Sequence, residues 1–350
     1  MGFLFFQKEH LTQDLINKKF KLNGISYSKE SLISHFKKNE LYHKFLISWF
    51  DERDYMLVKT SGSTGTPKSI RLKKIDMISS AKLTGNYFKL PTNSRVINCL
   101  SLNYIAGKMM LIRSLVLGWD LYLFPVSIEP IKKLKSKFDF IALTPMQLEN
   151  SLDNINYIKT IIVGGSPVNI ELRDKILKLE STVFETYGMT ETLTHIAVRN
   201  LSKNQIKFTA LPGIDFSEIN DCLAIDTEHL SLNTVKTNDV VKLISSKSFI
   251  WIGRKDFIIN SGGIKINPEK IEKKLSSHFS NKFIISSLND KVLGEKVVIV
   301  FEKSIPKNYN TAIESLDKYE KPKIVFFLNT FPETNGKINR LRINDIIQNK

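Results

Sequence analysis

Two cysteines, no long apolar run and a deficit of acidic residues set the first limits on this chain. Cys99 and Cys222 stand far apart and without metal-ligand or redox spacing, which excludes a disulfide scaffold and makes a reduced, cytoplasmic setting the expectation. No segment approaches the roughly 20 apolar residues of a membrane span, so no membrane insertion is expected. The Phe3–Phe6 run is too short for a signal peptide and has no basic residue ahead of it, and the chain is expected to be soluble. Gly2 follows Met1, but Phe6 occupies the place where a myristoylation signal needs Ser or Thr. Internal repeats and low-complexity linkers are missing too. Lys and Arg number 51 against 35 Asp and Glu, a formal net charge of +16. The lysines are spread along the whole chain, and the charge permits nucleic acid, a membrane surface or anionic small molecules without choosing among them; no nucleic acid partner is expected. The densest run, Ile131–Lys137, has helical spacing and reads as the solvated face of a helix.

What is present begins with Lys59-Thr60-Ser61-Gly62-Ser63-Thr64-Gly65-Thr66-Pro67-Lys68. Glycines let backbone N–H groups turn inward, hydroxyls add donors and one lysine adds a mobile charge, a composition suited to phosphate. Gly62 and Lys68 have the separation of a Walker A loop, but Pro67 stands where that loop needs its second glycine. A Ser/Gly-rich surface turn is the plainer alternative for this segment alone. Downstream, Glu185-Thr186-Tyr187-Gly188-Met189-Thr190-Glu191-Thr192 follows the apolar strand Thr182–Phe184. Strand ends are where open α/β sheets place ligands. There Tyr187 can stack on a base, Thr190 can donate to phosphate and Glu191 can hold magnesium. Then come Thr237-Asn238-Asp239, Gly253-Arg254-Lys255-Asp256, Gly262-Gly263-Ile264-Lys265-Ile266-Asn267-Pro268 and Asn335-Gly336-Lys337.

These motifs, in this order over about residues 55 to 340, resemble the adenylate-forming acyl-CoA synthetase superfamily. The resemblance implies ATP, Mg2+ and coenzyme A as co-substrates of a small-molecule carboxylic acid. It implies a carboxylate attack on the α-phosphate of ATP, giving acyl-adenylate, followed by thiol capture. Thr60, Ser61, Gly62, Ser63, Thr64, Gly65 and Lys68 would hold the phosphates, and Gly164, Gly165, Tyr187 and Gly188 the adenine. Asp239 would accept the ribose hydroxyls beside Arg254. Lys337, Thr190 and Glu191 would be catalytic, Glu191 through the metal. Asp256 would be a hinge, with Gly262, Gly263 and Lys265 lining a CoA tunnel.

The organisation read from the chain is α/β. Buried strands are expected at Phe138–Thr144 and Thr160–Val163, with a helix from Pro145 to Leu152 and short strands from Phe208 to Trp251. A large N-terminal domain over residues 1–253 with a β subdomain, and a small mobile α+β lid over residues 254–350, are expected. About 58 residues precede the phosphate loop, fewer than in most of the superfamily, so an N-terminally shortened form is expected. The sequence carries no mark of an oligomeric state. Tyr104, Gly107 and Lys108 lie where the superfamily puts its acyl pocket, with Ser166, Met189 and His195 as further acyl contacts. Lys108 is unusual on an apolar segment: it snorkels or meets an anion. If it faces the pocket, the acid carries a second carboxylate, and the segment resembles the compact bacterial o-succinylbenzoate-CoA ligases. His195 equally fits a packed core histidine. Loading of a carrier protein instead of CoA and a non-catalytic nucleotide-binding role remain as alternatives.

Overall fold

The computed structural model describes residues 15–59, 69–228, 230–231, 234–334 and 337–349; the phosphate-type loop at 60–68 lies outside them. In chain order the strands begin with β1 (Lys21–Leu22), β2 (Ile25–Ser26), β3 (Tyr55–Lys59) and β4 (Ser69–Lys73). The last two, on either side of that loop, pair antiparallel with Lys59 opposite Ser69. The next five, β5 (Arg95–Asn98), β6 (Asp120–Leu123), β7 (Phe138–Leu143), β8 (Ile158–Val163) and β9 (Thr182–Gly188), form the parallel heart of the sheet.

Continuous apolar runs make these strands: a strand covered on both faces needs apolar residues at every position, not every second one. On β7, Phe140 and Ala142 join one core while Ile141 and Leu143 join the other. The helix Ile105–Leu117 crosses between β5 and β6. The helix Pro145–Glu149 starts from a capping box between Thr144 and Gln147. It stops at Glu149 and a 3-10 turn, Leu152–Tyr157, follows, so the expected Pro145–Leu152 helix divides in two.

Beyond β9 the direction alternates. Strands β10 (His195–Asn200), β11 (Phe208–Ala210), β12 (Ile214–Ile219), β13 (Cys222–Thr227), β14 (Val235–Lys236), β15 (Asp239–Ser245) and β16 (Ser248–Arg254) follow. Among the described residues the large sheet runs β15-β16-β11-β10-β9-β8-β7-β5-β6-β1-β2. The expected β subdomain is therefore shared: β11, β15 and β16 extend the main sheet, and β12 to β14 form a three-stranded sheet. Residues Ile131–Lys137 are not a helix. Their bonds are i to i+3, Leu134 N–H to Ile131 O at 2.9 Å, and Ile131 and Leu134 are buried while Lys132 and Lys133 are exposed. Three-residue spacing served one tight turn after Pro130.

After Arg254 a 3-10 turn, Lys255–Phe257, leads to β17 (Ile259–Ser261), β18 (Ile264–Ile266), the helix Pro268–Leu275, β19 (Phe283–Asp290), β20 (Gly294–Glu302), β21 (Ile324–Leu328), β22 (Glu333–Thr334) and β23 (Lys337–Ile338). Gly262 and Gly263, at φ 59° and 82°, make the two-residue turn between β17 and β18, a geometry needing positive φ at both positions. The two hydrophobic clusters of this part draw on residues from Ile259 onward and none before. No helix among the described residues is long and apolar enough to cross a membrane.

Phe249 ties the extended sheet together, fully buried against Phe208, Tyr187 and Phe216 with ring centroids 5.5, 5.1 and 4.9 Å away. Phe249→Ala should cost roughly 3–5 kcal/mol in urea unfolding; a loss below about 1 kcal/mol would mean that this aromatic cluster does not hold β11, β15 and β16 to the sheet.

Candidate active site beyond the strand ends

Strand β9 runs on through Gly188, so Glu185, Thr186 and Tyr187 are strand residues beyond the expected apolar strand Thr182–Phe184. Their partners differ. The buried Glu185 carboxylate accepts from Arg199 Nη2 at 2.7 Å, Arg173 Nη2 at 3.2 Å and the Val168 N–H at 3.2 Å. That last bond fixes the end of the Gly164–Val168 loop beside β9. Thr186 donates to Val163 O at 3.1 Å, and a Cβ at Gly164 would meet the Thr186 hydroxyl and displace it from that bond. Gly165 and Ser166 are exposed on this loop.

Tyr187 reaches the other way. Its hydroxyl donates to Asp239 Oδ2 at 2.6 Å, and Trp251 Nε1 donates to Asp239 Oδ1 at 3.1 Å. Burial, and then the Asp239 charge, push the Tyr187 phenol far above its ordinary value, so it remains a donor. Asp239 opens β15 directly opposite Arg254, the last residue of β16. A buried carboxylate with two fixed donors is held in one orientation, with lone pairs left for a ligand.

Met189, Glu191, Lys236, Thr237, Asn238, Asp239 and Arg254 line one recess of about 190 Å³. Three separate sequence motifs thus converge beyond the carboxyl end of β9. Thr190 is buried in the turn from Met189 to Leu193, where Thr190 O accepts the Leu193 N–H at 3.0 Å. Glu191 is exposed and has no ion pair among the described residues. No group of three or more metal-ligating side chains occurs among the described residues. A single free carboxylate fits a magnesium ion that arrives on phosphates, since such ions keep few protein ligands.

Of the acyl candidates, Met189 lines that recess and Ser166 lies on the Gly164–Val168 loop, while Tyr104, Gly107, Lys108 and His195 do not line it. Tyr104 caps the start of Ile105–Leu117 and is 44% exposed; Gly107 is buried in its first turn. Lys108 is half-buried and donates to Leu102 O, and burial lowers its ammonium pKa. Its ammonium is thus tied to the loop ahead of its own helix. His195 is buried, with Nδ1 2.9 Å from Thr194 Oγ1 and Nε2 3.4 Å from Thr84 Oγ1.

Arg113, given no role in the sequence reading, lies beside it. It is 2% exposed, donates to Thr194 Oγ1 at 2.6 Å, and sits 3.4 Å from His195 Nδ1. Because guanidinium only donates, His195 Nδ1 must accept, which places the imidazole proton on Nε2. Arg113 Nε has no partner, and no carboxylate pairs with Arg113 among the described residues. Burial pulls its pKa down to about 9, so it is still charged at neutral pH. The available signal was an arginine ending the apolar run Met109–Ile112.

The last two groups of expected residues lie in the C-terminal part. Asp256 is on the Lys255–Phe257 turn, accepting from Arg254 and from Asn238 Nδ2. Lys265 is exposed on β18, and Lys337 pairs through its backbone with Thr334. Its side chain, like residues 60–68, lies outside the described residues.

A sheet with a parallel heart, and beyond the end of its last parallel strand a recess lined by a carboxylate and a guanidinium from facing strand positions, is the architecture of a ligand-binding α/β protein. The family model of AMP-binding enzymes matches residues 9–214, more than half of the chain, and the chain belongs to that family. It is 26% identical over 322 residues to the 2-succinylbenzoate-CoA ligase of Haemophilus influenzae, covering 84% of this chain and 71% of the relative. With the enzyme of the same name from Escherichia coli it shares 22% over 297 residues, 80% of this chain and 64% of that one. An acyl-CoA synthetase (AMP-forming)/AMP-acid ligase II-like protein from Dyadobacter fermentans superposes with a TM-score of 0.61 at 31% identity, covering 92% of this chain and 99% of its own.

His195 generates a pH test. Burial, and secondarily Arg113, hold its pKa well below the ordinary 6.5. The native imidazole stays neutral while the unfolded chain takes up a proton as pH falls through about 6.5. The unfolded state then binds more protons, so stability rises with pH across this window and is lost below it. His195→Gln should lose less urea midpoint than the wild type between about pH 7 and about pH 5; equal losses would show that the buried imidazole takes up its proton without cost.

Proposed function

We propose that this protein joins a carboxylic acid to CoA at the expense of MgATP, and that the acid is o-succinylbenzoate. The observation that carries the first part is the convergence of Glu191, Asp239 and Arg254 on one recess. Asp239, oriented by Tyr187 and Trp251, accepts the ribose hydroxyls. Glu191 holds the magnesium that accompanies the phosphates. Thr190 and Lys337 orient and neutralise the α-phosphate, and Thr60–Lys68 holds the leaving pyrophosphate. Gly164, Gly165 and Gly188 leave room for adenine. A carboxylate oxygen attacks the α-phosphorus, the bond to the β-phosphate breaks, and pyrophosphate leaves. The CoA thiol then attacks the acyl carbon, gives its proton to solvent and expels AMP. Negative charge gathers at phosphorus in the first step, so catalysis is mostly positioning and electrostatics.

Residues 1–253 act as the adenylating body and residues 254–350 as a lid that swings at Asp256. In the second pose the Gly262–Lys265 turn replaces Lys337 at the site and lines the thiol's path. The named relatives support the choice of acid. So does the unpaired buried charge of Arg113, which a second carboxylate would satisfy; an uncompensated buried ion is costly. Arg113 suits this better than Lys108, whose ammonium already bonds Leu102 O.

Mass spectrometry after incubation with MgATP, CoA and o-succinylbenzoate should give the CoA thioester, with none from benzoate or a medium-chain fatty acid. Pyrophosphate without thioester would move the acceptor to a carrier protein; no reaction with any acid would refute the ligase. Lys337→Ala should cripple adenylate formation and spare thioester formation from supplied acyl-adenylate. Arg113→Met should raise the KM for the dicarboxylate roughly 10–100-fold while Lys108→Met changes it little; the reverse order would restore Lys108 as the anchor.

A further inference from the structure

The chain passes once from the large sheet to the C-terminal unit, through Arg254-Lys255-Asp256-Phe257, and one residue outside that passage grips it twice. Asn238 O accepts the Lys255 N–H at 2.8 Å. Asn238 Nδ2 donates to Asp256 Oδ1 at 3.0 Å. The other Asp256 oxygen accepts from Arg254 Nη2. Lys255 Nζ adds a bond to Asn220 O at 2.7 Å. Asn238 itself precedes Asp239 and lines the same recess as Asp239 and Arg254.

The geometry points to Asn238 as a positioning residue for the hinge: it buckles Asp256 to the nucleotide recess and so holds the C-terminal unit in the pose seen here. This rests on the ligase reading above, and adds to it how the swing is restrained. Rotation at residue 256 must carry the Asp256 carboxylate away from a side chain anchored on the large sheet, so the Asn238 bond breaks before the second pose forms. Arg254 is shared between the two functions. A nucleotide that draws its guanidinium into the recess removes one of the two donors on Asp256, leaving the Asn238 amide as the donor that still holds this carboxylate.

Two variants separate this from a lining role. Asn238→Ala removes the donor, and Asn238→Asp sets a carboxylate against Asp256. Hydrogen–deuterium exchange of the unliganded protein should quicken over the passage in the order wild type, Asn238→Ala, Asn238→Asp. The first step should be roughly two- to tenfold, the weight of one partly exposed hydrogen bond, with the strands β7 and β8 unchanged. Exchange equal to the wild type in both variants, or faster throughout the protein, would overturn the buckle. In the two half-reactions, the ratio of thioester formation from supplied acyl-adenylate to pyrophosphate release should rise in both variants. An increased KM for ATP with that ratio unchanged would make Asn238 a pocket wall only and overturn the proposal. Wild-type protein inactive in both halves would refute the ligase reading, while the exchange experiment would still decide whether Asn238 restrains the passage.

Discussion

The antiparallel pairing of β15 with β16 is the constraint on which the site depends. It sets Asp239 opposite Arg254, an acid and a base that start one strand and end the other. Neither could be supplied by a loop at comparable precision, since their backbones are fixed by ladder bonds and by the Phe249 cluster below. The Asp239 N–H donates to Thr237 Oγ1 at 3.0 Å, and Thr237 donates on to Leu223 O at 2.8 Å, so even the approach to the strand is pinned to the neighbouring small sheet. Preorganisation of this kind spares a ligand the cost of ordering the groups that receive it.

Much of this was legible because the signals were local. Apolar runs without alternation gave β7 and β8, a Thr-Pro start gave the short helix after β7, and Gly262-Gly263 gave the turn before β18. What was not legible were facts of tertiary partnership. Nothing in Glu185-Thr186-Tyr187 says that the strand continues, because the residues that sustain it, Arg173, Arg199 and Val163, come from other elements. Trp251 could not be given a task without knowing that its indole meets Asp239. The Lys-rich run after Pro130 showed the same ambiguity in reverse: a three-residue spacing is shared by one turn and by a helix, and burial of Ile131 and Leu134 satisfied both.

Charge burial was the hardest feature to read. Lys108 and Arg113 lie on one helix in one apolar context, and the sequence singled out the lysine as a cation on an apolar segment that must snorkel or meet an anion. Arg113 is a second and more deeply buried cation on it. A lysine has one head group, which a carbonyl of its own loop can occupy. A guanidinium has five donors in a plane, and Arg113 is left with Nε unmatched even after Thr194 and His195 are counted. The neutral histidine beside it follows from the same logic, since a second cation in that space would meet repulsion as well as desolvation.

Three of the buried polar atoms without partners lie together where the chain leaves β16 for the C-terminal strands. Asn267 caps the Pro268–Leu275 helix through Oδ1, which turns its Nδ2 toward Gly253. There Asn267 Nδ2, Glu269 Oε2 and Arg254 Nε are all buried without partners. Burial raises the Glu269 carboxyl pKa, the expected response of an acid held in such a place. Unmatched polar groups each cost about 1–3 kcal/mol, and such costs are borne where another arrangement can relieve them. The clusters on either side of this place, one reaching Phe249 and the others starting at Ile259, are built from different buried residues. Polar groups left unmatched at the one passage from the large sheet to the C-terminal strands therefore stand to gain from a rearrangement there that would pair them.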